Sequence, residues 1–341
     1  MVAIVIVNFN NLQDLKSCLG SVYKSSYKNF KVVVVDNGSS DKSVEYVEKH
    51  FPKIFLIETK KNNGYARGNN IGMKFALGKL KASHILLLNP DTLMDKDCLK
   101  ELTKKKNDNA ILQPLLLLYE NHKKTNLVNT AGNVLNYLGF SYVGDYRKKA
   151  EAFQKDKDSA LCSGACMFLP KKILQRIGFL DESFFMYHED ADLSWRARIY
   201  GFNIKTIVKA IVWHKYSFSR NKKKMFFAER NRLAFTLKNY SFKTLLLISP
   251  VALLNESSVC SFALKEKWLS LKIKSYFSGM LMLPHIFSER KQIQKKRKVS
   301  DQTLSKYLSD EISFSEIKLP LPAKAYNYII KSYWNLIKKI I

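Results

Sequence analysis

The chain begins on a continuous apolar, β-branched run, Val2-Ala3-Ile4-Val5-Ile6-Val7, that breaks abruptly into Asn8-Phe9-Asn10. A run without polar alternation fits a strand covered on both faces, as in a parallel sheet. The pattern returns at residues 31–36, 54–57 and 84–89, separated by helical spacing over 12–24, 41–50 and 65–80. Strand and helix in that rhythm predict right-handed crossovers and a doubly wound, mainly parallel α/β sheet. Ligands of such sheets bind beyond the carboxyl ends of the strands. There stand Asn8 and Asn10, then Asp36-Asn37-Gly38-Ser39-Ser40-Asp41, then Asn89-Pro90-Asp91.

After residue 91 the alternation stops. Residues 95–106 read as a helix, 111–118 and 162–170 as strands, and 147–158 as a mobile charged loop. Residues 171–177 read as a helix closed by Gly178, and 189–200 as a helix ending at Gly201. A strand over 204–213 leads to His214. The five cysteines are scattered and odd in number, which fits a reducing compartment, and Cys162 and Cys166 lack zinc-site spacing. With residues 2–7 read as a strand and not a signal peptide, a cytoplasmic protein is expected.

Three local patterns carry chemistry. Glu189, Asp190 and Asp192 crowd like charges beside the apolar Phe184, Phe185 and Trp195, which raises carboxylate pKa values and marks a candidate general base. The competing reading is a helix N-terminus offsetting its dipole, with Asp192 paired to Arg196 at i,i+4. Asn63-Gly64-Tyr65-Ala66-Arg67 opens the third helix with free backbone N–H groups and a guanidinium, a setting for a diphosphate. Asp91 offers a hard oxygen ligand at a strand end, where Mg²⁺ or Mn²⁺ shared with a diphosphate would sit, and His214 could join it.

The ordered set Val7-Asn8-Phe9-Asn10, Val35 to Asp41, Asn63 to Asn70, Leu88-Asn89-Pro90-Asp91, Ser163 to Met167, Phe185 to Leu193 and His214 resembles the family-2 glycosyltransferases of the GT-A fold. The likeness is to their bacterial and archaeal rhamnosyltransferase-like branch. It implies an inverting, metal-dependent transfer of a sugar, rhamnose by analogy with the branch, from a nucleoside-diphosphate donor to a glycan or polyprenyl-linked acceptor in cell-surface glycan assembly. Asp36 would meet the nucleobase, and Asn8, Asn10, Asn63, Gly64, Arg67, Asn70 and Asn89 would line the nucleotide-sugar pocket. Asp91 and His214 would hold Mg²⁺ or Mn²⁺. Asp190 would be the base, with Glu189 the alternative, and Gly164, Asp192 and Trp195 would lie in the acceptor region. Two departures stand out: Asn89 replaces the first acid of the family's Asp-x-Asp motif, and His188 stands where an aromatic residue is common.

Composition separates the rivals. Lys and Arg number 57 against 29 Asp and Glu, a formal charge of +28, and residues 215–341 hold 25 of these cations but only 8 of the acids. An anionic partner follows. A nucleic-acid-binding protein would interleave cations with stacking aromatics on one platform, whereas these cations adjoin apolar runs, so no nucleic acid is expected. A metal-dependent nucleotidyltransferase would need a glycine-rich phosphate loop after the first strand, and residues 8–13 hold no glycine.

Residues 221–341 are expected to form a helical, basic, membrane-associating extension of a catalytic domain at 1–220. The apolar runs 244–254, interrupted by Pro250, and 276–287 are each shorter than the roughly 20 residues that cross a bilayer. They stand beside Arg290, Lys291, Lys295, Lys296, Arg297 and Lys298. Apolar helix faces next to such a cluster predict peripheral attachment to the anionic inner face of the cell membrane; the bland reading is a helical subdomain with a solvated basic face. The oligomeric state is left open by the sequence.

Overall fold

The structure, a computed structural model, describes residues 1–216, 222–314 and 321–341. The expected boundary at 220/221 lies outside them. The chain divides into two compact units, the first comprising Met1–Asn133, Val143–Ala197 and Phe202–Ser217, the second Val134–Tyr142, Arg198–Gly201 and Phe218–Ile341.

The first unit opens with the expected alternation: β1 (Val2–Asn8), α1 (Leu12–Tyr23), β2 (Phe30–Asp36), α2 (Ser43–His50), β3 (Phe55–Glu58), α3 (Gly64–Gly78) and β4 (His84–Leu88). It continues through β5 (Thr92–Met94), α4 (Cys98–Lys104), β6 (Ala110–Glu120) and β7 (Lys123–Thr130); β8 (Val134–Asn136) and β9 (Ser141–Tyr142) belong to the second unit. Then come β10 (Lys157–Asp158), β11 (Cys166–Pro170), α5 (Lys171–Ile177), α6 (Glu189–Ile199) and β12 (Asn203–His214). The sheet order is β10-β12-β6-β11-β4-β1-β2-β3, with β5 on β12 and β7 on β6. The fold is therefore α/β with a large, mostly parallel sheet.

Burial explains the continuous apolar runs: Ala3, Ile4, Val5, Ile6, Val33 and Val35 are wholly enclosed between helix layers. Helix α3 reaches β1 closely through glycine. A Cβ on Gly72 would stand 2.3 Å from Val5 Cγ1, and one on Gly68 2.7 Å from Val7 Cγ1. Pro114, which has no N–H for the ladder, faces the register break between Ile207 and Ile211 of β12. The segment expected as a mobile loop is partly ordered: Ala150–Ala152 is a 3₁₀ turn, Lys157–Asp158 pairs with β12, and Asp145 holds both Lys148 and Lys157 at 2.7 and 2.5 Å.

The second unit holds α7 (Lys222–Asn239), α8 (Phe242–Lys265), α9 (Leu269–Leu281), α10 (Leu283–Lys296), α11 (Asp301–Leu304), the strand β13 (Leu308–Ser309) that pairs with β8, and α12 (Leu321–Ile337). Tyr137 stacks on Trp334 at 4.5 Å between centroids and donates to the Ile330 carbonyl at 2.9 Å. Two expectations change here. Pro250 does not break α8: the Leu246 carbonyl, which a residue-250 N–H would normally satisfy, accepts from Ser249 Oγ at 2.8 Å. The resulting 24-residue helix is, by length and composition alone, one that could cross a membrane, which the 244–254 run is not. The basic cluster is also smaller than it reads. Arg290 donates to the Leu237 and Tyr240 carbonyls, and Arg297 pairs with Asp301 at 2.6 Å.

Candidate active site

Strand direction gathers the motifs. β1, β2, β4, β6 and β12 run parallel, so Asn8, Asp36, Asn89, Asp91 and His214 all emerge at one sheet edge. β11 runs the other way between β4 and β6, with Cys166 opposite Leu88, so its approach through Ser163-Gly164-Ala165 reaches the same edge. The Asn89 N–H donates to the Ala165 carbonyl there at 2.9 Å.

At the end of β2, Asp36 is buried and accepts from the Ser39 N–H at 2.8 Å and from Asn8 Nδ2 at 3.3 Å. Asn10 accepts from the Ser40 N–H at 2.7 Å, and Asp41 holds the Leu12 and Ser43 N–H groups, both at 3.0 Å. Asn37 organises the neighbouring turn. Its Oδ1 accepts from the Asn63 N–H at 3.1 Å, and its Nδ2 donates to Asn62 Oδ1 and the Gly64 carbonyl, each at 3.1 Å. Gly64 needs to be glycine: φ is +81°, and a Cβ would lie 2.5 Å from the Phe185 carbonyl oxygen. Arg67 lies on the surface with Nε 3.7 Å from Glu182.

The start of β11 is held by side chains. The successive N–H groups of Cys162, Ser163 and Gly164 donate to Ser194 Oγ at 3.1 Å, Gln113 Oε1 at 2.6 Å and Asp190 Oδ2 at 2.8 Å. Tyr65 donates its hydroxyl to the Gly164 carbonyl at 2.6 Å, joining α3 to the same loop. Before α6 the backbone takes left-handed angles at Phe185, Tyr187 and His188, three non-glycine residues, beside the carboxylates.

The two adjacent acids differ. Burial, then the charge of Asp190, pushes the Glu189 carboxyl well above its usual range, and its Oε2 has no hydrogen-bond partner among the described residues. Burial also raises Asp190, but N–H groups of Gly164 and Ala191 and the charge of His188 act against it. Both carboxyls are thus raised, and Asp190, which has the opposing N–H donors and the charge of His188, is the one its surroundings favour to ionise. Asp192 is different again, wholly buried with Arg196 Nε at 2.8 Å, while Arg196 also donates to the Phe179 carbonyl at 2.7 Å.

Asp91 Oδ2 lies 3.5 Å from His214 Nε2, and Asp91 Oδ1 is buried without a hydrogen-bond partner among the described residues. His214 Nδ1 lies 3.0 Å from Asn129 Oδ1. With Nδ1–H donating there, Nε2 turns a lone pair toward Asp91, an arrangement suited to a cation between them. No group of three or more His, Cys, Asp or Glu side chains with metal-site geometry occurs among the described residues. A cation here would take its remaining ligands from a diphosphate or water.

Three expected site residues turn inward. Asn70 is buried, its amide spent on Leu180 and Glu182 at 2.8 to 3.1 Å, so it fastens α3 to the loop before α6. Asp192 and Trp195 are fully enclosed on the inner side of α6 and are not surfaces for an acceptor. Conversely, Gln113 and Asn129 support the site from positions that no local pattern singles out.

A Rossmann-like GT-A sheet with carboxylates, amides and one histidine at its carboxyl edge defines a class of nucleotide-sugar enzyme folds. The family model "Glycosyl transferase family 2" matches residues 3–178, just over half of the chain, and the chain belongs to that family. It is 30% identical over 204 residues to the low-salt glycan biosynthesis hexosyltransferase Agl10 of Haloferax volcanii, covering 59% of this chain and 63% of that protein. It is 22% identical over 223 residues to the poly-β-1,6-N-acetyl-D-glucosamine synthase of Staphylococcus epidermidis, covering 62% of this chain and 49% of the synthase. Among solved structures, GalNAc-T7 with UDP, GalNAc and Mn²⁺ matches with a TM-score of 0.57 and 14% identity, over 72% of this chain and 48% of that one. The mannosyltransferase PcManGT from Pyrobaculum calidifontis with GDP-Man and Mn²⁺ matches with a TM-score of 0.51 and 12% identity, over 99% and 87%. These two structural likenesses concern the fold.

Proposed function

We propose that this chain is an inverting hexosyltransferase that moves a sugar from a nucleoside-diphosphate donor to a hydroxyl of a glycan or lipid-linked glycan at the cytoplasmic face of the membrane. The observation that carries the reading is the placement of Asp190 at Gly164, on the same sheet edge as Asp91 and His214. The Agl10 and poly-N-acetylglucosamine synthase similarities support a glycan acceptor, and the structures with bound UDP or GDP-Man support a nucleotide donor. Rhamnose as the sugar remains an analogy with the branch named above.

In this mechanism Asn8 supports Asp36, which with the turn built by Asn37 receives the nucleoside. Because the Asn63, Gly64 and Ala66 N–H groups are held by Asn37, Asn62 and Phe185, the exposed Arg67 is what α3 offers the diphosphate. Asp91 and His214 would hold Mg²⁺ or Mn²⁺, which when bound neutralises charge on the departing diphosphate. Asp190 accepts the proton of the acceptor hydroxyl as that oxygen bonds to the anomeric carbon, while the bond from carbon to phosphate oxygen breaks and its electron pair leaves with the nucleoside diphosphate. The N–H groups of Gly164 and Ala191 orient Asp190 and favour its ionised form before the proton moves. Proton NMR of the first sugar released from α-linked nucleotide sugars tests the stereochemistry: the β-anomer should appear before mutarotation, and initial α-anomer would contradict inversion.

A further inference from the structure

All of the exposed large hydrophobic side chains among the described residues lie in the C-terminal unit, except Phe9 and Tyr23. On α8 they form a stripe of Phe242, Leu246, Leu253 and Leu264, opposite Thr244, Ile248, Val251 and Asn255, which are buried. Ile273, Phe277, Met280 and Leu281 repeat the pattern on α9, which packs against α8, at i, i+4, i+7 and i+8. That spacing ordinarily faces a core, yet Phe242 is 75% and Leu281 85% exposed. An apolar face of this extent on a soluble protein marks an interaction surface.

Exposed Lys265 on α8, Lys267 in the turn after it, Lys274 on α9 and Lys291, Lys295 and Lys296 on α10 adjoin these faces, so the surface that complements them is apolar and anionic together. α8 is also tethered. Glu256 meets Arg232 of α7 at 2.5 Å and Lys272 of α9 at 2.8 Å, and Tyr276 donates to it at 2.7 Å; Lys272 and Arg232 are buried and also engage Glu229. A helix crossing a bilayer would carry this network with it, but α9 has 13 residues, about 20 Å, against a hydrocarbon core of about 30 Å. Pulling α8 free would strand buried charges.

We infer that α8 and α9 seat their exposed apolar stripes in the head-group layer of an anionic bilayer, with α8 lying in the membrane plane and not crossing it. This rests on the membrane location proposed above and names the surface responsible. The test is flotation of the purified full chain with phosphatidylcholine vesicles, with and without phosphatidylglycerol, for wild type and for Leu253→Glu with Phe277→Glu. Wild type should float with the anionic vesicles and be released by alkaline carbonate. The double variant should partition at least about tenfold less, since two large apolar side chains lose their burial, while keeping any nucleotide-induced rise in melting temperature. Undiminished flotation of the variant, carbonate-resistant wild type, or a vesicle-indifferent dimer that the variant converts to monomer would each overturn the inference. Should the double variant melt early, bimane on Phe277→Cys replaces it: quenching by brominated lipid is expected, and its absence overturns the inference. Loss of nucleotide response in wild type would instead count against the catalytic reading alone.

Discussion

The Gly164 N–H donates to Asp190 Oδ2 at 2.8 Å, tying the entry to β11 to the first turn of α6. With the Ala191 N–H and the charge of His188, this bond favours the ionised carboxylate of Asp190 where burial opposes it. Asp190→Asn should lower kcat on the order of 10²-fold or more with little change in nucleotide affinity, as expected of a base that acts on the acceptor. Steady-state kinetics beside a nucleotide titration checks it; equal losses in both would assign Asp190 to donor binding.

Asp192→Asn should act on stability. Its partner Arg196 is buried, so removing one charge of the pair should cost about 3 kcal/mol of unfolding free energy. Urea denaturation measures this, and an unchanged midpoint with lost activity would move Asp192 into the chemistry.

Glu189 and Glu256 should give opposite pH limbs. The folded pKa of Glu189 lies above its ordinary 4.5, so its protonated form stabilises the fold below that value and the benefit is lost as pH rises through the folded pKa. Glu189→Gln should therefore melt progressively higher than wild type toward alkaline pH. Burial would raise Glu256, but Arg232 and Lys272 outweigh it and hold it at about 2. Its contribution is present above pH 4.5 and fades as pH falls toward 2, and Glu256→Gln should flatten that acid limb. Melting curves across pH read both; parallel curves for variant and wild type would refute the assigned shifts.

Gly72→Ala should destabilise by about 1–3 kcal/mol without altering the site, because its methyl would collide with Val5. Chemical denaturation of the variant checks this, and wild-type stability would mean that α3 moves off β1 at little cost.

The doubly wound half was legible because each parallel strand is buried on both faces and so writes an unbroken apolar run. Asp36, Asp91 and His214 were legible for a related reason: they are polar residues placed where such runs stop. Gln113 and Asn129 were not, since each acts through partners distant in sequence; Asn129 meets His214 across 85 positions. Asn70 and Trp195 misled because a motif shows residue type and spacing but not which side of a helix faces inward, whereas the i,i+4 pairing of Asp192 with Arg196 was legible in the spacing. In the C-terminal unit, Pro250 hid the length of α8, and pairing across 53 positions, Arg290 to Leu237, hid a guanidinium that the basic cluster seemed to offer to lipid.

The central claim is that the sheet edge bearing Asp91 and His214 binds a nucleoside diphosphate together with a divalent metal. Its most direct test is the melting temperature of the full chain with UDP, GDP and dTDP, each with and without Mn²⁺. At least one nucleotide should raise it in the presence of Mn²⁺, by ligand binding to the folded state alone, and Asp91→Asn should abolish the rise while leaving the circular dichroism unchanged. No shift with any nucleotide, or an equal shift in Asp91→Asn, would contradict the account.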